Sequence, residues 1–543
     1  MAIRKIKIHN FKCFRDFETE LNPGLNILVG DNEAGKSTIL EAIHLALTGV
    51  YCGRRVQNEI TPYLINSNAI SEYTESLKSD SPIAPPGLMI EIYFAGSINP
   101  VFEGNGNSDK QDKVEGFLFE IAFAEQFTEE YEKLVQEKEI ASLPTEYYLA
   151  SWHHFGRDTI TTRMIPMKSV LVDSSNYRYQ NGSDVYISRI VRDLLEPDDI
   201  IAISQAHRKM IDGFSCDPAI ANINAKISSE STIVEGDVTI SADHGSKNAW
   251  ESSLVTQVSG IPFSYIGKGS QCVIKTELAL SHKKARNAEV ILLEEPESHL
   301  SYSRLNELIS IIVKKYGDKQ ILVSTHSSFV ANKLSLSNLI LLQNGRTTRI
   351  TELKSAGFFQ KMAGYDTLRL VLCRKAILVE GPSDELVVQR AYMDLHEGHL
   401  PIEDGIDVIS VGTSFLRFLE LSDKLRIPTC VVTDNDGDVE ALRNKYSDYL
   451  GENAKPMIRI CFDPIVDPRA ADTPKYNNNT LEPKLLKANS LDVFNTIFGK
   501  DYASEDEMKQ YMEKNKTECA LAIFCSTQTI NYPEYIVEAI QDE

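Results

Sequence analysis

The sequence has no run of about eighteen apolar residues, so no helical membrane span is expected. It has no Cys-x-x-Cys pair either. Its nine cysteines (Cys13, Cys52, Cys216, Cys272, Cys373, Cys430, Cys461, Cys519, Cys525) are scattered and odd in number. Without metal-ligand spacing they argue for reduced thiols in a cytoplasmic protein, mostly buried as small hydrophobes, and against zinc. Positive charge is short: 56 Lys and Arg face 77 Asp and Glu, a formal net charge of −21. That excludes a protein that coats nucleic acid by bulk electrostatics. It does not exclude a nuclease, which needs only a local basic surface and whose acids are offset by bound metal. The basic clusters are short (Arg54–Arg55, and Lys283–Lys284 with Arg286) and read as solvated surface.

What is present is ordinary in amount and specific in order. Hydrophobic residues make up 42% and charged residues 24% of 543, enough for roughly two to four domains with cores of their own. The N-terminus, MAIRKIKIHNFKCF, alternates apolar and basic residues without an apolar core region or cleavage site. It reads as a strand and not as a signal peptide.

LNILVGDNEAGKSTILEAIHLAL places an apolar strand, Asn26 to Val29, before Gly30-Asp-Asn-Glu-Ala-Gly35-Lys36-Ser37, and a helix-period run (Ile39, Leu40, Ile43, Leu47) after it. This is GxxxxGK[ST] in its strand–loop–helix context. The glycines let backbone N–H groups point at phosphate oxygens, Lys36 supplies a cation to the outer phosphates, and Ser37 offers a hydroxyl to Mg²⁺. Gly30, Asn32, Gly35, Lys36, Ser37 and Thr38 are the expected ATP-binding residues. Downstream, EVILLEEPESHL gives a strand from Val290 to Leu293 ending in Glu294-Glu295, and QILVSTHSS gives Ile321 to Val323 ending at His326. In P-loop ATPases the first acid after such a strand holds the Mg²⁺ shell, the second polarises the attacking water, and the histidine senses the γ-phosphate. Glu294, Glu295 and His326 take those roles.

FSYIGKGSQCVIKTELAL resembles a degenerate signature loop of the ABC-type ATPases, holding only Gly269 and Gln271 of LSGGQ. A signature loop places a helix N-terminus against the γ-phosphate bound by the other protomer, so ATP would lie between two subunits. A plain glycine-rich turn is the alternative. Between the two halves lies an insertion from about 168 to 231, in which SDVYISRIVRDLLE puts Ile187, Ile190, Val191 and Leu194 on one helical face. It reads as a helical cap or a dimerisation element. Pro197, Gly213 and Pro218 interrupt it too often for a long coiled coil.

From Lys375 an α/β pattern restarts. AILVEGPSDELVVQRAY gives a strand from Ala376 to Val379 ending in Glu380, and a second strand from Thr429 to Thr433 ends in Asp434-Asn-Asp436. In an open parallel sheet both ends line one edge. A glutamate and an Asp-x-Asp make a hard-oxygen pocket suited to Mg²⁺ or Mn²⁺. A cation would remove the repulsion between these acids. Asp438 is read as part of the following loop.

EGPSD followed by TDND resembles the Toprim fold of topoisomerases, bacterial primases and a group of nucleases. A P-loop ABC-like ATPase fused ahead of Toprim is similar to the OLD (overcoming lysogeny defect) family of ATP-dependent endonucleases, along nearly the whole chain. The resemblance implies an α/β protein: an ABC-type P-loop ATPase head with a helical insertion, followed by a Rossmann-like Toprim domain. The expected boundaries are 1–167 and 232–352 for the head, 168–231 for the insertion, 353–372 for a linker and 373–543 for Toprim. The family's further acid and lysine match Glu482 in NNNTLEPKLL and Lys516 in MEKNKTECALAI, with Lys514 the alternative. The implied chemistry is two-metal phosphodiester hydrolysis. Glu380 bridges or acts as base, Asp384, Asp434 and Asp436 hold the metals, Glu482 completes the second site, and Lys516 offsets charge on the phosphorane.

The resulting expectation is an ATP-regulated DNA endonuclease, cytoplasmic, homodimeric or larger through its heads, and active in anti-phage defence. The resemblance also allows a partner helicase, as in a Gabija-like system, or a reverse transcriptase with its retron nucleic acid. The alternative is a non-cleaving DNA-binding ATPase of recombination or repair. Strand passage would need a tyrosine nucleophile on a separate domain, and primer synthesis a zinc module. The sequence supports neither.

Overall fold

The computed structural model describes residues 1–543 apart from 80–81, 138–139, 141, 174–178, 181–182, 185–194, 231–238, 242–249, 251–254, 282–286, 344, 351–352, 363–364, 469–475 and 542–543. The chain divides into two compact units, the first holding Met1–Leu28, Asn32–Thr325 and Asn344–Arg346, the second the remainder. No helix among the described residues is long and apolar enough to cross a membrane.

The first unit opens with β1 (Ile3–Phe11), β2 (Phe14–Glu20), β3 (Leu25–Gly30) and α1 (Lys36–Thr48). It continues with β4 (Leu88–Phe94), β5 (Val114–Phe123), β6 (Tyr148–His154) and β7 (Ser169–Asp173). Then come α2 (Pro197–Ser215), α3 (Pro218–Glu230), α4 (Lys268–Ser281), β8 (Val290–Glu294) and β9 (Gln320–Ser324). An antiparallel sheet runs β2-β1-β4-β5-β6, and a parallel one runs β7-β8-β9-β3. The alternation in IRKIKIHNF buries Ile6 and Ile8 and leaves Lys5 and Lys7 at the rim, as period two requires; Ile3, an odd number of steps away, is buried beyond a register shift between Ile3 and Lys5. In helix α1, Ile39, Leu40, Ile43 and Leu47 have no exposure, so its apolar side lies in the core, while Glu41 and His44 are only half-buried. Gln320 ties β9 to the N-terminal strand: its Nε2 donates to the Ile3 carbonyl at 2.8 Å and its Oε1 accepts the Ile3 N–H at 2.7 Å.

The sequence reading starts the helical insertion at 168. Ser169–Asp173 instead form β7, with Val170 opposite Ile291 of β8, because SVLV is an apolar, partly β-branched run suited to a buried parallel strand. The face carrying Ile187, Ile190, Val191 and Leu194 lies outside the described residues, as do Lys283, Lys284 and Arg286. In α2 and α3, Ile211 and Ile220 are buried, while Ile201, Met210, Phe214 and Ile223 are exposed. The cysteines are all free; four of them (Cys13, Cys52, Cys216, Cys525) are exposed, more than their reading as core residues implies.

In the second unit, α5 (Ala356–Lys361) and α6 (Thr367–Leu372) precede β10 (Lys375–Val379), α7 (Pro382–Leu395), β11 (Ile406–Ser410), α8 (Phe415–Leu425), β12 (Thr429–Val432) and β13 (Ile458–Cys461). Helices α9 (Leu481–Ala488), α10 (Lys516–Cys525) and α11 (Glu534–Ile540) follow. The sheet is wholly parallel in the order β11-β10-β12-β13. Its core packs Val387 and Tyr392 of α7, Leu485 of α9, Ile523 of α10 and Ile536 of α11 against Ile377 and Val379. The stretch read as a linker, 353–372, contributes buried side chains to this unit among its described residues. Phe359, Leu370 and Val371 are fully buried, Phe359 meets Phe418 edge-on at 5.3 Å, and Arg369 donates to Asp407 and the Val408 carbonyl. Short helices of apolar residues cannot stay in water as a tether.

Candidate functional site

Strands β10 and β12 are neighbours, so Glu380 and Asp434 leave the same edge of the sheet one residue and two residues past their ends. The EGPSD turn has a local reason as well as a chemical one. Pro382 fits the first helical position, and Asp384 at the third accepts the Gly381 N–H at 2.9 Å, capping α7. Asp434 Oδ2 accepts the Leu481 N–H at 3.1 Å, and Tyr535 Oη stands 3.5 Å from Asp434 Oδ1. Buried Glu482 follows on α9, and its Oε2 is 3.5 Å from Lys516 Nζ at the start of α10. Lys516, not Lys514, is therefore the lysine brought to the acids. Asp436 is exposed with φ +50, and Asn477 donates to its carbonyl at 3.2 Å.

These groups feel one another. Burial, with Glu482 and Glu380 nearby, pushes the Asp384 carboxyl up to about 6. Burial, with Asp384, Glu482 and Asp436 around it, holds Asp434 well above the carboxylate range. Burial opposes the charge on Lys516, but Glu482, Asp434 and Asp384 outweigh it and raise the ammonium's pKa. Burial, then Asp434 and Asp384, also drives the Tyr535 phenol well up, so it stays a hydrogen-bond donor. The acids share an edge without closing on a point. Among the described residues no three His, Cys, Asp or Glu side chains form a ready metal cage.

Two supports escaped the sequence reading. Tyr535 carries no motif; only its proximity to Asp434 marks it. Asn435, between the two aspartates, is buried and donates to the Asp463 and Ile465 carbonyls at 2.6 and 3.0 Å, tying the β12 loop to the β13 loop.

In the parallel sheet of β3, β8 and β9, Glu294 lies opposite Ser324, and Ser324 opposite Leu28, so Glu294 and the end of β3 leave one edge of that sheet. Helix α1 has no side-chain cap and no acid in its first turn, which leaves its N-terminus suited to an anion. Gly35 takes φ +100, and a Cβ there would meet Phe14 Cζ at 2.4 Å. Lys36 and Thr38 are buried, Ser37 partly so, and Asn32 exposed. The Glu295 N–H donates to the Ser324 carbonyl at 3.0 Å and its carboxylate accepts from Ser298 at 3.3 Å. His326 is exposed, directly after Thr325, whose N–H donates to the Leu28 carbonyl at 3.1 Å. Gln271 is turned inward: fully buried, its Nε2 donates to the Phe263 and Ile266 carbonyls at 2.9 Å each. It shapes the loop. Gly269 packs so that a Cβ would meet the His299 carbonyl oxygen at 2.7 Å, joining this loop to the turn after β8.

Comparison with known proteins agrees with this division. A family model described as an AAA domain matches residues 5–140, and a second AAA-domain model matches 274–332. The TOPRIM domain of overcoming lysogenization defect-like proteins matches 371–436. The DNA replication and repair protein RecF of Stenotrophomonas maltophilia is 49% identical over 49 residues, which is 9% of this chain. The chain spans only 14% of that relative's length. The OLD nuclease of Thermus scotoductus is 22% identical over 499 residues, covering 84% of this chain and 88% of that one. An Smc head bound to the C-winged helix domain of ScpA aligns over 64% of this chain and 97% of that one, at 16% identity and a TM-score of 0.31. The chain thus carries matches to AAA domains ahead of a match to the TOPRIM domain of overcoming lysogenization defect-like proteins, in the order its sequence implies.

Proposed function

We propose that the protein is an ATP-hydrolysing, divalent-metal-dependent DNA endonuclease. What supports it is that Glu380, Asp384, Asp434, Asp436 and Glu482 lie along one edge of the Toprim sheet and feel one another's charge, with Lys516 paired to Glu482. The donor set fits Mg²⁺ or Mn²⁺: every ligand is a carboxylate oxygen, and the raised Asp384 and Asp434 mark a charge that a cation would relieve. Those acids are the residues that would hold the metal. What the bound ions supply is Lewis acidity toward the phosphodiester and an attacking water.

The chain's own groups do the rest. Glu380, exposed at the end of β10, takes the proton of the attacking water. The Leu481 N–H fixes the Asp434 carboxylate in place, with the Tyr535 hydroxyl at its other oxygen. Lys516 Nζ directs its charge to the non-bridging oxygens, where negative charge grows. In the head, Lys36 and Ser37 bind ATP, Glu294 holds its Mg²⁺, Glu295 orients the hydrolytic water and His326 meets the γ-phosphate. Pairing of two heads through the loop at Gly269 makes the ATPase a homodimer. We further propose a place in anti-phage defence, which rests on the family resemblance alone.

Supercoiled plasmid incubated with Mg²⁺ or Mn²⁺ tests the proposal. Wild type nicks or linearises the plasmid and Glu380→Ala does not. Equal inertness of the two proteins would favour a non-cleaving DNA-binding ATPase. Lys36→Ala abolishes ATP turnover, and its effect on cleavage reveals whether ATP licenses or restrains the nuclease.

A further inference from the structure

The stretch 463–467, just after β13, joins two properties seldom found together. Its backbone is held tightly. Lys484, only 4% exposed, pairs with Asp463 at 2.5 Å and Asp467 at 2.7 Å and donates to the Ile465 carbonyl at 3.0 Å. Asn435 holds the Asp463 and Ile465 carbonyls, the Ile465 N–H donates to Asp463 Oδ1 at 2.8 Å, and Asn479 brackets Asp467 through its N–H and carbonyl at 2.7 and 3.0 Å. Yet the tip is apolar and open, with Ile465 61% and Val466 45% exposed. A loose loop would fold such side chains inward, since hiding each is worth about 1.5–3 kcal/mol. Here the polar clamp keeps them outward, and β-branching leaves each with few rotamers. The clamp is also part of the candidate site, because Asn435 sits between Asp434 and Asp436.

We propose that the 463–467 loop is a rigid wedge that inserts Ile465 and Val466 between DNA bases beside the phosphate being cut. The inference rests on the endonuclease reading and names how that site grips its substrate. Asn435 holds the loop directly beside Asp434 and Asp436, so a duplex bound at these acids lies within its reach. Apolar side chains on a fixed backbone open a base step at little entropic cost to the protein. Widening the step exposes the phosphate to the attacking water.

Full-length protein and a short duplex carrying 2-aminopurine at successive steps test the wedge, with Ca²⁺ replacing Mg²⁺ to hold the complex uncut. Wild type brightens the probe at one step. The double variant Ile465→Ser, Val466→Ser loses the brightening and binds about tenfold more weakly, with the salt dependence of binding unchanged because no phosphate contact is lost. Met457→Ser, an exposed apolar residue before the opposite end of β13, keeps wild-type values. The wedge is overturned if the double variant binds and brightens like wild type, the result expected if these residues meet another protein. It is also overturned if wild type cuts plasmid yet brightens no step. If wild type neither binds nor cuts DNA, the endonuclease reading falls and the wedge with it.

Discussion

Replacing Asp384 with Asn should make the metal-free protein more stable. Asp384 serves two ends that conflict when no cation is present: it caps α7 through the Gly381 N–H at 2.9 Å, and it adds charge to a buried acidic edge. Its carboxyl moves from an ordinary 3.8 to about 6 in the folded chain, mainly through burial and then through Glu482 and Glu380. At about 1.4 kcal/mol per unit, holding that charge in the native state costs about 3 kcal/mol above neutral pH. Asparagine keeps an oxygen for the Gly381 N–H, but the neutral bond is weaker by about 1 kcal/mol. The net gain is about 2 kcal/mol.

The pH dependence fixes the cause. Because the folded pKa lies above the unfolded one, the wild-type penalty is absent below the ordinary carboxylate value and grows until pH passes the folded value. Between about pH 7.5 and pH 5 the advantage of Asp384→Asn should shrink by about 1.4 kcal/mol. Hydrogen exchange of the β10 and β12 amides in the full chain, in EDTA, reads this as opening free energy. Saturating Mg²⁺ should stabilise wild type more than the variant. A variant less stable than wild type at about pH 7.5, or a gap that ignores pH, would refute the reasoning.

Three further outcomes are expected. Lys516→Ala should slow plasmid cleavage by about a hundredfold or more, whereas Lys514→Ala should stay within about twofold, because only Lys516 reaches Glu482. Tyr535→Phe removes a hydroxyl 3.5 Å from Asp434 and should weaken Mg²⁺ affinity by about three- to tenfold in calorimetry, with little change in the melt; unchanged affinity would make the contact incidental. Gly35→Ala forces a Cβ to within 2.4 Å of the Phe14 ring at φ +100, so it should abolish ATP binding by fluorescent-nucleotide titration, while tight binding would show that the loop relaxes.

The parts legible in the sequence are those in which a local pattern and a chemical need coincide. GDNEAGKS announces strand, turn and helix together, and β3 and α1 follow as read. EGPSD and TDND did the same for β10, α7 and β12. Long-range geometry was less visible. SVLVD at 169–173 looks like the lead into an insertion until β8 lies beside it, because a parallel partner 121 residues away leaves no mark on a short run. Residues 353–372 read as a linker because their helices are short, although Phe359 and Val371 complete a core. Tyr535 and the Leu481 N–H are chosen by the fold alone: one is an ordinary aromatic near the C-terminus, and the other is backbone, which no residue identity encodes.

The run VVTDNDGD shows how three aspartates can follow one strand without tearing it apart. Each charge meets a different answer. Asp434 alone turns inward, held by the Leu481 N–H, and carries the raised pKa. Asp436 takes φ +50, which swings it to the exposed side of the turn, and Asn435 between them spends its amide on the neighbouring loop. Asp438 points onward and caps the next helix, accepting the Ala441 N–H at 2.9 Å, where a helix N-terminus favours negative charge. Gly437 at φ +88 makes the separation possible within one turn. The acidity of the segment is therefore divided: one charge is matched by a helix dipole, one by water, and one is left strained in the interior. That last charge is where a cation has most to offer, since burial, Asp384 and Glu482 all oppose it.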